Sequence, residues 1–113
     1  MIINGVDTKI DVIKGTPGLL YYNQLFNESL TEDIMYIINN GEPRPDALRL
    51  LRLLFVMTGK FKETTFENWA TNLNDDFDVL EYMDTIIEQA LKSYMPSIYK
   101  RAYGDRNTDT TEQ

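Results

Sequence analysis

The run ALRLLRLLFVM, residues 47–57, constrains the fold more than any other part of the chain. Only Arg49 and Arg52 interrupt its apolar character, and they lie three residues apart on one stripe. A helix that is apolar around most of its circumference is stable only when other elements cover it from several sides. The sequence therefore predicts a central helix over about 45–58, which starts at Pro45 or Asp46 and stops before Gly59, inside a helical bundle.

The first thirteen residues follow a two-residue period instead of a helical one. Asn4-Gly5 is a pair that tolerates the positive φ angles of a tight hairpin turn. The side chains that would share one side of the second strand are Val6, Thr8, Ile10 and Val12. We predict a β-hairpin that pairs residues 1–3 with residues 6–13 and packs its apolar side on helices, because an isolated hairpin is only marginally stable.

Capping residues and helical spacing mark the remaining helices. Thr16-Pro17 predicts a helix over about 17–27, and Ser29-Leu30-Thr31-Glu32 predicts a second, short one that ends near residue 39. Thr64-Thr65-Phe66-Glu67 predicts a cap for another short helix, which carries Trp69. A long last helix over about 77–94 is indicated by one apolar stripe, made of Phe77, Leu80, Met83, Ile87, Leu91 and Tyr94.

These elements predict a mainly α fold, a helical bundle with an N-terminal β-hairpin. Residues 1–104 would form a single domain, a normal size for one hydrophobic core. Residues 105–113 contain no hydrophobic side chain. We predict that they form a disordered tail, because ordering them would bury nothing in return for the lost entropy.

The chain contains no histidine and no cysteine. It therefore lacks the usual general base near neutral pH, the usual metal ligands, and the Ser-His and Cys-His nucleophile pairs. A domain without cysteine also suits a reducing compartment. We predict that the protein is not an enzyme, has no catalytic residues, and binds neither a cofactor nor a metal.

The formal net charge is −7, and residues 59–95 hold eight acidic but only three basic side chains. Such a surface repels phosphate backbones and anionic lipids, so we expect neither nucleic acid nor membrane as a partner. The first residues lack the pattern of a signal peptide. The longest apolar stretch, residues 50–57, is interrupted by Arg52 and is too short to span a bilayer. A cytoplasmic location is therefore predicted.

The acidic cluster of Asp75, Asp76, Asp78 and Glu81 is a candidate metal site. A calcium loop needs glycine near its sixth position and glutamate at its twelfth. Counted from Asp75, those positions hold leucine and isoleucine. We expect these carboxylates to stabilise the start of a helix by opposing its dipole.

Asp33, Glu81, Asp84 and Glu88 could in principle form a pair of general acid and base. The last three are spaced three and four residues apart, away from the apolar stripe of the last helix. Such a run is typical of a solvated helix face, which is the reading we prefer. Arg49 and Arg52 are expected to pair with acids of a neighbouring helix while their aliphatic stems pack.

The predicted partner-binding residues are Phe66, Trp69, Leu73 and Phe77. They bring three aromatic side chains into twelve residues beside the acidic stretch. Tryptophan is a common anchor of protein interfaces and also a common core residue, and the core is the reading we prefer for Trp69. Both roles are compatible if the short helix that carries Trp69 borders a groove.

Four segments occur in a characteristic order over residues 1–95. They are Ile3-Asn4-Gly5, the Leu-rich central helix, Phe66-Glu67-Asn68-Trp69, and Asp75-Asp76-Phe77-Asp78 before the last helix. In this order the chain resembles the tail assembly chaperones of long-tailed bacteriophages, especially of phages that infect Gram-positive hosts.

The resemblance implies a non-catalytic chaperone in the cytoplasm of the host cell. It would bind and solubilise the tape measure protein during assembly of the tail tube, and it would also engage the major tail protein. Self-association stays open. The alternatives are a small phage regulatory protein that binds nucleic acid and a non-catalytic subunit of a larger complex.

Overall fold

The computed structural model describes residues 1–104, and the predicted tail 105–113 lies outside them. A two-stranded hairpin precedes six α-helices in this part of the chain: β1 (Ile2–Ile3), β2 (Val6–Asp7), α1 (Gly15–Phe26), α2 (Leu30–Ile38), α3 (Ala47–Met57), α4 (Phe66–Thr71), α5 (Met83–Tyr94) and α6 (Pro96–Tyr99). Short 3-10 turns occupy Asn39–Gly41, Lys60–Lys62 and Val79–Tyr82, and a π-helical turn, Lys100–Gly104, follows α6. The predicted class, a mainly α fold with an N-terminal hairpin, is confirmed.

Helix α3 lies at the centre of the fold, as its composition predicted. Asp46 caps it, since its Oδ1 accepts a hydrogen bond of 2.9 Å from the Arg49 amide. The helix packs against α1, α4 and α5. Most of its second half is fully buried, including Leu53, Leu54 and Phe55. Gly59 follows with a φ of 75°, in the left-handed region that glycine adopts without strain.

The hairpin is confirmed, but its second strand is shorter than predicted. Ile2 pairs with Asp7 and Ile3 with Val6, and β2 ends there instead of reaching residue 13. Beyond it, the amides of Val12 and Ile13 both donate to the carbonyl of Met57, at 3.1 and 3.3 Å. The predicted inward side of the second strand is therefore only partly right: Ile10 packs against the core, but Val6 and Val12 are exposed, and Ile13 is buried instead. Docking on the end of α3, not strand pairing, decides which side chains face inward.

The helix starts show which capping predictions hold. Ser29 Oγ accepts from the Glu32 amide, as predicted. The cap predicted within residues 64–67 is confirmed, and the structure assigns it to Thr65, whose Oγ1 accepts from the Asn68 amide. Helix α1 instead begins at Gly15, after Lys14, and has no side-chain cap. Thr16 lies inside the first turn of that helix, so its predicted capping role was wrong.

The last helix begins later than residue 77. Asp78 has an extended backbone, and its Oδ1 accepts a hydrogen bond of 3.1 Å from the Leu80 amide. This cap opens the 3-10 turn, and α5 starts only at Met83. Leu80 is consequently exposed, and the buried side of α5 consists of Ile86, Ile87, Ala90, Leu91 and Tyr94. Within residues 1–104, every helix is too short or too polar to cross a lipid bilayer.

Helices α1 and α5 approach closely at Gly18. A Cβ at this position would collide with the ring of Tyr94. That ring is held in place because Tyr94 Oη donates a hydrogen bond of 2.5 Å to the carbonyl of Ile13. Burial raises the pKa of Tyr94 above its usual value. Burial also raises the pKa of Tyr22, and the hydrogen bond to the Asp33 carboxylate raises it further.

These two tyrosines predict a loss of stability in alkali. Folding raises the pKa of both hydroxyls, so their full contribution to the free energy of unfolding is present below ~10, the pKa of an unfolded tyrosine. That contribution is lost as the pH rises above this value. The wild-type free energy of unfolding should fall more steeply above pH ~10 than that of Tyr94→Phe. Urea titrations at several alkaline pH values measure this. Identical slopes for both proteins would contradict the assignment.

Candidate partner-binding surface

The side chain of Asn4 joins the hairpin turn to the segment after α4. Its Nδ2 donates to the carbonyl of Asn72 at 3.1 Å, and its Oδ1 accepts from the amide of Asn74 at 2.8 Å. Asn4 itself has a φ of 53°, which asparagine tolerates better than other residues that carry a Cβ. The Ile3-Asn4-Gly5 turn and the Phe66-Glu67-Asn68-Trp69 helix are thereby held side by side.

Phe66 and Trp69 lie together in an aromatic cluster on α3. Each ring centroid is 5.4 Å from that of the buried Phe55, and the two centroids are 6.0 Å apart. Phe26 of α1 contacts Phe66 edge to face at 5.2 Å. Both side chains remain partly exposed. The cluster fixes α4 on the body of the domain and orients the indole of Trp69 rigidly.

Trp69 also lines a groove between the hairpin and α4, which we call the hairpin–α4 groove. Its volume is about 430 Å³. Apolar walls come from Ile3, Val6 and Trp69, and the polar rim includes Lys60, Glu63, Asn68 and Asn72. Trp69 is thus both a core residue and a groove residue, because the helix that packs it against the core also borders a groove.

Leu73 and Phe77 lie elsewhere. They line a second groove, the α3 groove, of about 360 Å³, together with Ala47 and Leu51 of α3. Phe77 stacks on Tyr82 with ring centroids 5.9 Å apart. The structure therefore does not bring the four predicted residues together: Trp69 lines the hairpin–α4 groove, Leu73 and Phe77 line the α3 groove, and Phe66 lines neither.

The acidic side chains considered as metal ligands or as an acid–base pair do not form a common site. Glu81, Asp84 and Glu88 are exposed, which confirms the predicted solvated face. Asp75 and Asp76 are exposed as well, while Asp78 caps the 3-10 turn. Among residues 1–104, no group of three potential ligands is arranged to hold a metal ion.

Asp33 is the residue whose role the sequence analysis missed. It is buried between α1, α2 and α3, where it accepts hydrogen bonds from Tyr22 Oη at 2.5 Å and from Arg49 Nε at 3.1 Å. The spacing of Leu30, Asp33, Ile34 and Ile37 places it on the buried stripe of α2, a signal that could have revealed it. Asp33 is thus part of the core and not of an acid–base pair.

The two arginines of α3 differ. Arg49 pairs with Asp33 of the neighbouring helix, as predicted, and also with Asp46. The Arg49 backbone amide and guanidinium lower the pKa of the Asp46 carboxyl. Arg52 lies over the ring of Phe26 at 5.5 Å, and its buried Nε has no hydrogen-bond partner among residues 1–104. The predicted pairing is confirmed for Arg49 and was wrong for Arg52.

An apolar cleft between α2, α5 and α6 was not predicted. It measures about 320 Å³ and is lined mainly by aliphatic side chains, among them Ile37, Ile38, Met83, Ile87, Leu91 and Ile98. A carboxylate, Asp84, stands at its rim.

The fold and the grooves define a small helical domain whose surface offers apolar recesses. Comparison with models of known protein families, with curated protein sequences and with solved structures finds no match to this chain.

Proposed function

We propose that this chain is a tail assembly chaperone of a long-tailed bacteriophage and that it binds a helical, apolar segment of the tape measure protein in the hairpin–α4 groove. The observation that supports this most directly is the double hydrogen bond of Asn4 to Asn72 and Asn74. It brings two of the segments on which the resemblance rests to the walls of one groove.

The groove suits an amphipathic helix. Ile3, Val6 and Trp69 offer an apolar wall to the apolar stripe of such a helix. The polar rim can hydrogen-bond its flanks, as the rims of protein interfaces do. The net charge of −7 would keep a coated, aggregation-prone partner in solution through mutual repulsion. The chain must leave the tape measure protein at the growing tail tube, where the major tail protein is the second partner. This release requires only that the interaction is reversible.

Co-expression tests the proposal. The tape measure protein of the same phage should be soluble in the presence of this chain, should co-purify with it, and should aggregate without it. Equal insoluble fractions with and without the chain, and no co-purification, would exclude the chaperone. Low-micromolar binding of duplex DNA at physiological salt would instead favour the regulatory protein, and it is not expected with these exposed carboxylates.

Substitutions in the groove make the test specific. Trp69→Ala should weaken binding by more than ~1 kcal/mol, because tryptophan anchors carry much of the energy of an interface. Val6→Asp should weaken it as well without disturbing the aromatic cluster, since Val6 is 62% exposed. Leu20→Asp on α1, 58% exposed and outside the groove, is the matched control.

Isothermal titration against a tape measure segment measures these affinities, and circular dichroism checks each fold. If Val6→Asp and Leu20→Asp bind equally well, the hairpin–α4 groove is not the site.

A further inference from the structure

The apolar cleft between α2, α5 and α6 has a buried floor and half-buried walls. Ile37, Ile87 and Leu91 form the floor, and each of them is at most 6% exposed. The walls are half-buried hydrocarbon or thioether side chains, namely Ile38, Met83 and Ile98. Apolar side chains that fill such a recess leave water at both surfaces, which favours binding.

Asp84 is the only charged residue among those that line the apolar cleft. It is exposed and lies in the first turn of α5. Within residues 1–104 its carboxylate makes no ion pair. Lys100 and Arg101, the cations that precede Ala102 in the sequence, do not line the cleft. The cleft therefore presents hydrocarbon beside one unpaired negative charge.

Two further carboxylates extend this negative charge along the rim. Glu88 follows Asp84 by one turn of α5, and Glu42 lies in the α2–α3 connection between two rim residues. Both are exposed, and neither makes an ion pair within the described part of the chain. Arg44 of the same connection hydrogen-bonds Asn39 instead. A cation that approaches the apolar cleft therefore meets a favourable potential.

The chain itself offers no matching occupant. The described residues end beside Tyr103, which lines the apolar cleft. Residues 105–113, which follow, contain no hydrophobic side chain, and they carry three carboxylates but only one cation, Arg106. A second copy of the chain would bring its own net charge of −7 to an acidic rim, which is unfavourable.

We propose that the apolar cleft binds a helical segment of a partner protein in which aliphatic side chains one turn apart are flanked by lysine or arginine. Met83, Ile87 and Leu91 follow one another at intervals of four residues, so the α5 side of the cleft is about 12 Å long. This length accommodates two aliphatic side chains of a docked helix. A basic side chain beside them would reach the carboxylate of Asp84.

The apolar cleft and the hairpin–α4 groove are separate sites. They share no lining residue. The rim of the groove contains Lys60 and Glu63, which pair with each other at 3.8 Å, whereas the only charged residue that lines the cleft is an unpaired carboxylate. The cleft thus selects for basic flanks and the groove does not. The inference stands independently of the proposed function.

Designed helical peptides test the charge preference. One peptide of ~20 residues carries a leucine stripe with lysine on both flanks, and a second has glutamate in place of lysine. By fluorescence anisotropy the full chain should bind the first and not the second. Asp84→Lys should raise the Kd for the lysine peptide at least ~5-fold. Glu67→Lys is the matched control, because it makes the same charge change on an exposed residue in the first turn of α4, outside the cleft.

A second pair of variants tests the apolar part of the site. Ala102→Trp should raise the Kd at least ~10-fold, because the indole fills the cleft that the exposed Ala102 lines. Ser97→Trp, on an exposed residue of α6 outside the cleft, should bind like the wild type. Circular dichroism checks each fold. If Ala102→Trp fails to fold, the comparison of Asp84→Lys with Glu67→Lys decides.

Four results would overturn the proposal. The first is a wild-type chain that does not bind the lysine peptide at near-millimolar concentration or binds both peptides equally. The second is equal binding by Asp84→Lys and Glu67→Lys. A wild-type dimer that Ala102→Trp dissociates would assign the cleft to a second copy. Tighter peptide binding by Arg106→Gln would assign it to the chain's own last residues.

Discussion

Leu54→Asp should abolish folding. Leu54 is 0% exposed in the middle of α3, and no cation of α3 faces its side of the helix. An unpaired carboxylate there must either stay charged in the core or bind a proton, and either way it loses its hydration. The cost, together with the lost apolar burial, should exceed ~5 kcal/mol, which is comparable with the whole stability of a domain of this size. Far-UV circular dichroism and urea titration measure it.

Leu48→Asp is the matched control for this prediction. It introduces the same charge into the same helix at a position that is 50% exposed. Its free energy of unfolding should stay within ~0.5 kcal/mol of the wild type when measured at low protein concentration. Leu51→Asp should fall between the two, because Leu51 is half-buried. Equal stabilities of the Leu54 and Leu48 variants would refute the central position of α3.

Asp33→Ala should have the second largest effect, a loss of ~3 kcal/mol. The substitution removes the carboxylate that Tyr22 Oη and Arg49 Nε contact. It leaves a buried hydroxyl and a partly buried guanidinium without that acceptor. A buried polar group without a hydrogen-bond partner lowers stability by more than the hydrogen bond itself had contributed. Urea unfolding at neutral pH measures the difference.

Removing the tyrosine hydroxyl as well distinguishes this mechanism from a simple loss of packing. In the double variant Tyr22→Phe/Asp33→Ala the stranded hydroxyl is gone, so part of the lost stability should return. Asp33→Asn, which keeps one acceptor oxygen, should be less harmful than Asp33→Ala. If Asp33→Ala unfolds at the wild-type urea midpoint, the buried carboxylate contributes nothing to stability.

The candidate site was predictable in part. The spacing of Phe66 and Trp69 and the cap at Thr65 place a short aromatic helix at the surface, and both features depend only on neighbouring residues. The groove that Trp69 lines exists only because the hairpin lies beside α4. Asn4 holds the hairpin there through hydrogen bonds to Asn72 and Asn74, which lie 68 and 70 positions further along the chain. No pattern within a short window carries that information.

The sequence by itself determined the mainly helical class, the central α3, the hairpin turn and the caps at Ser29 and Thr65. These follow from hydrophobic periodicity, capping and turn chemistry, whose forces act within a few residues. The tertiary structure decided that α5 begins at Met83, that Ile13 rather than Val12 is buried, and that Asp33 is buried. It also placed Trp69 in one groove, Leu73 and Phe77 in another, and Phe66 in the aromatic cluster instead of a groove. The reason is that the side of an element that becomes buried depends on which distant surface covers it, and residues far apart in the chain supply that surface.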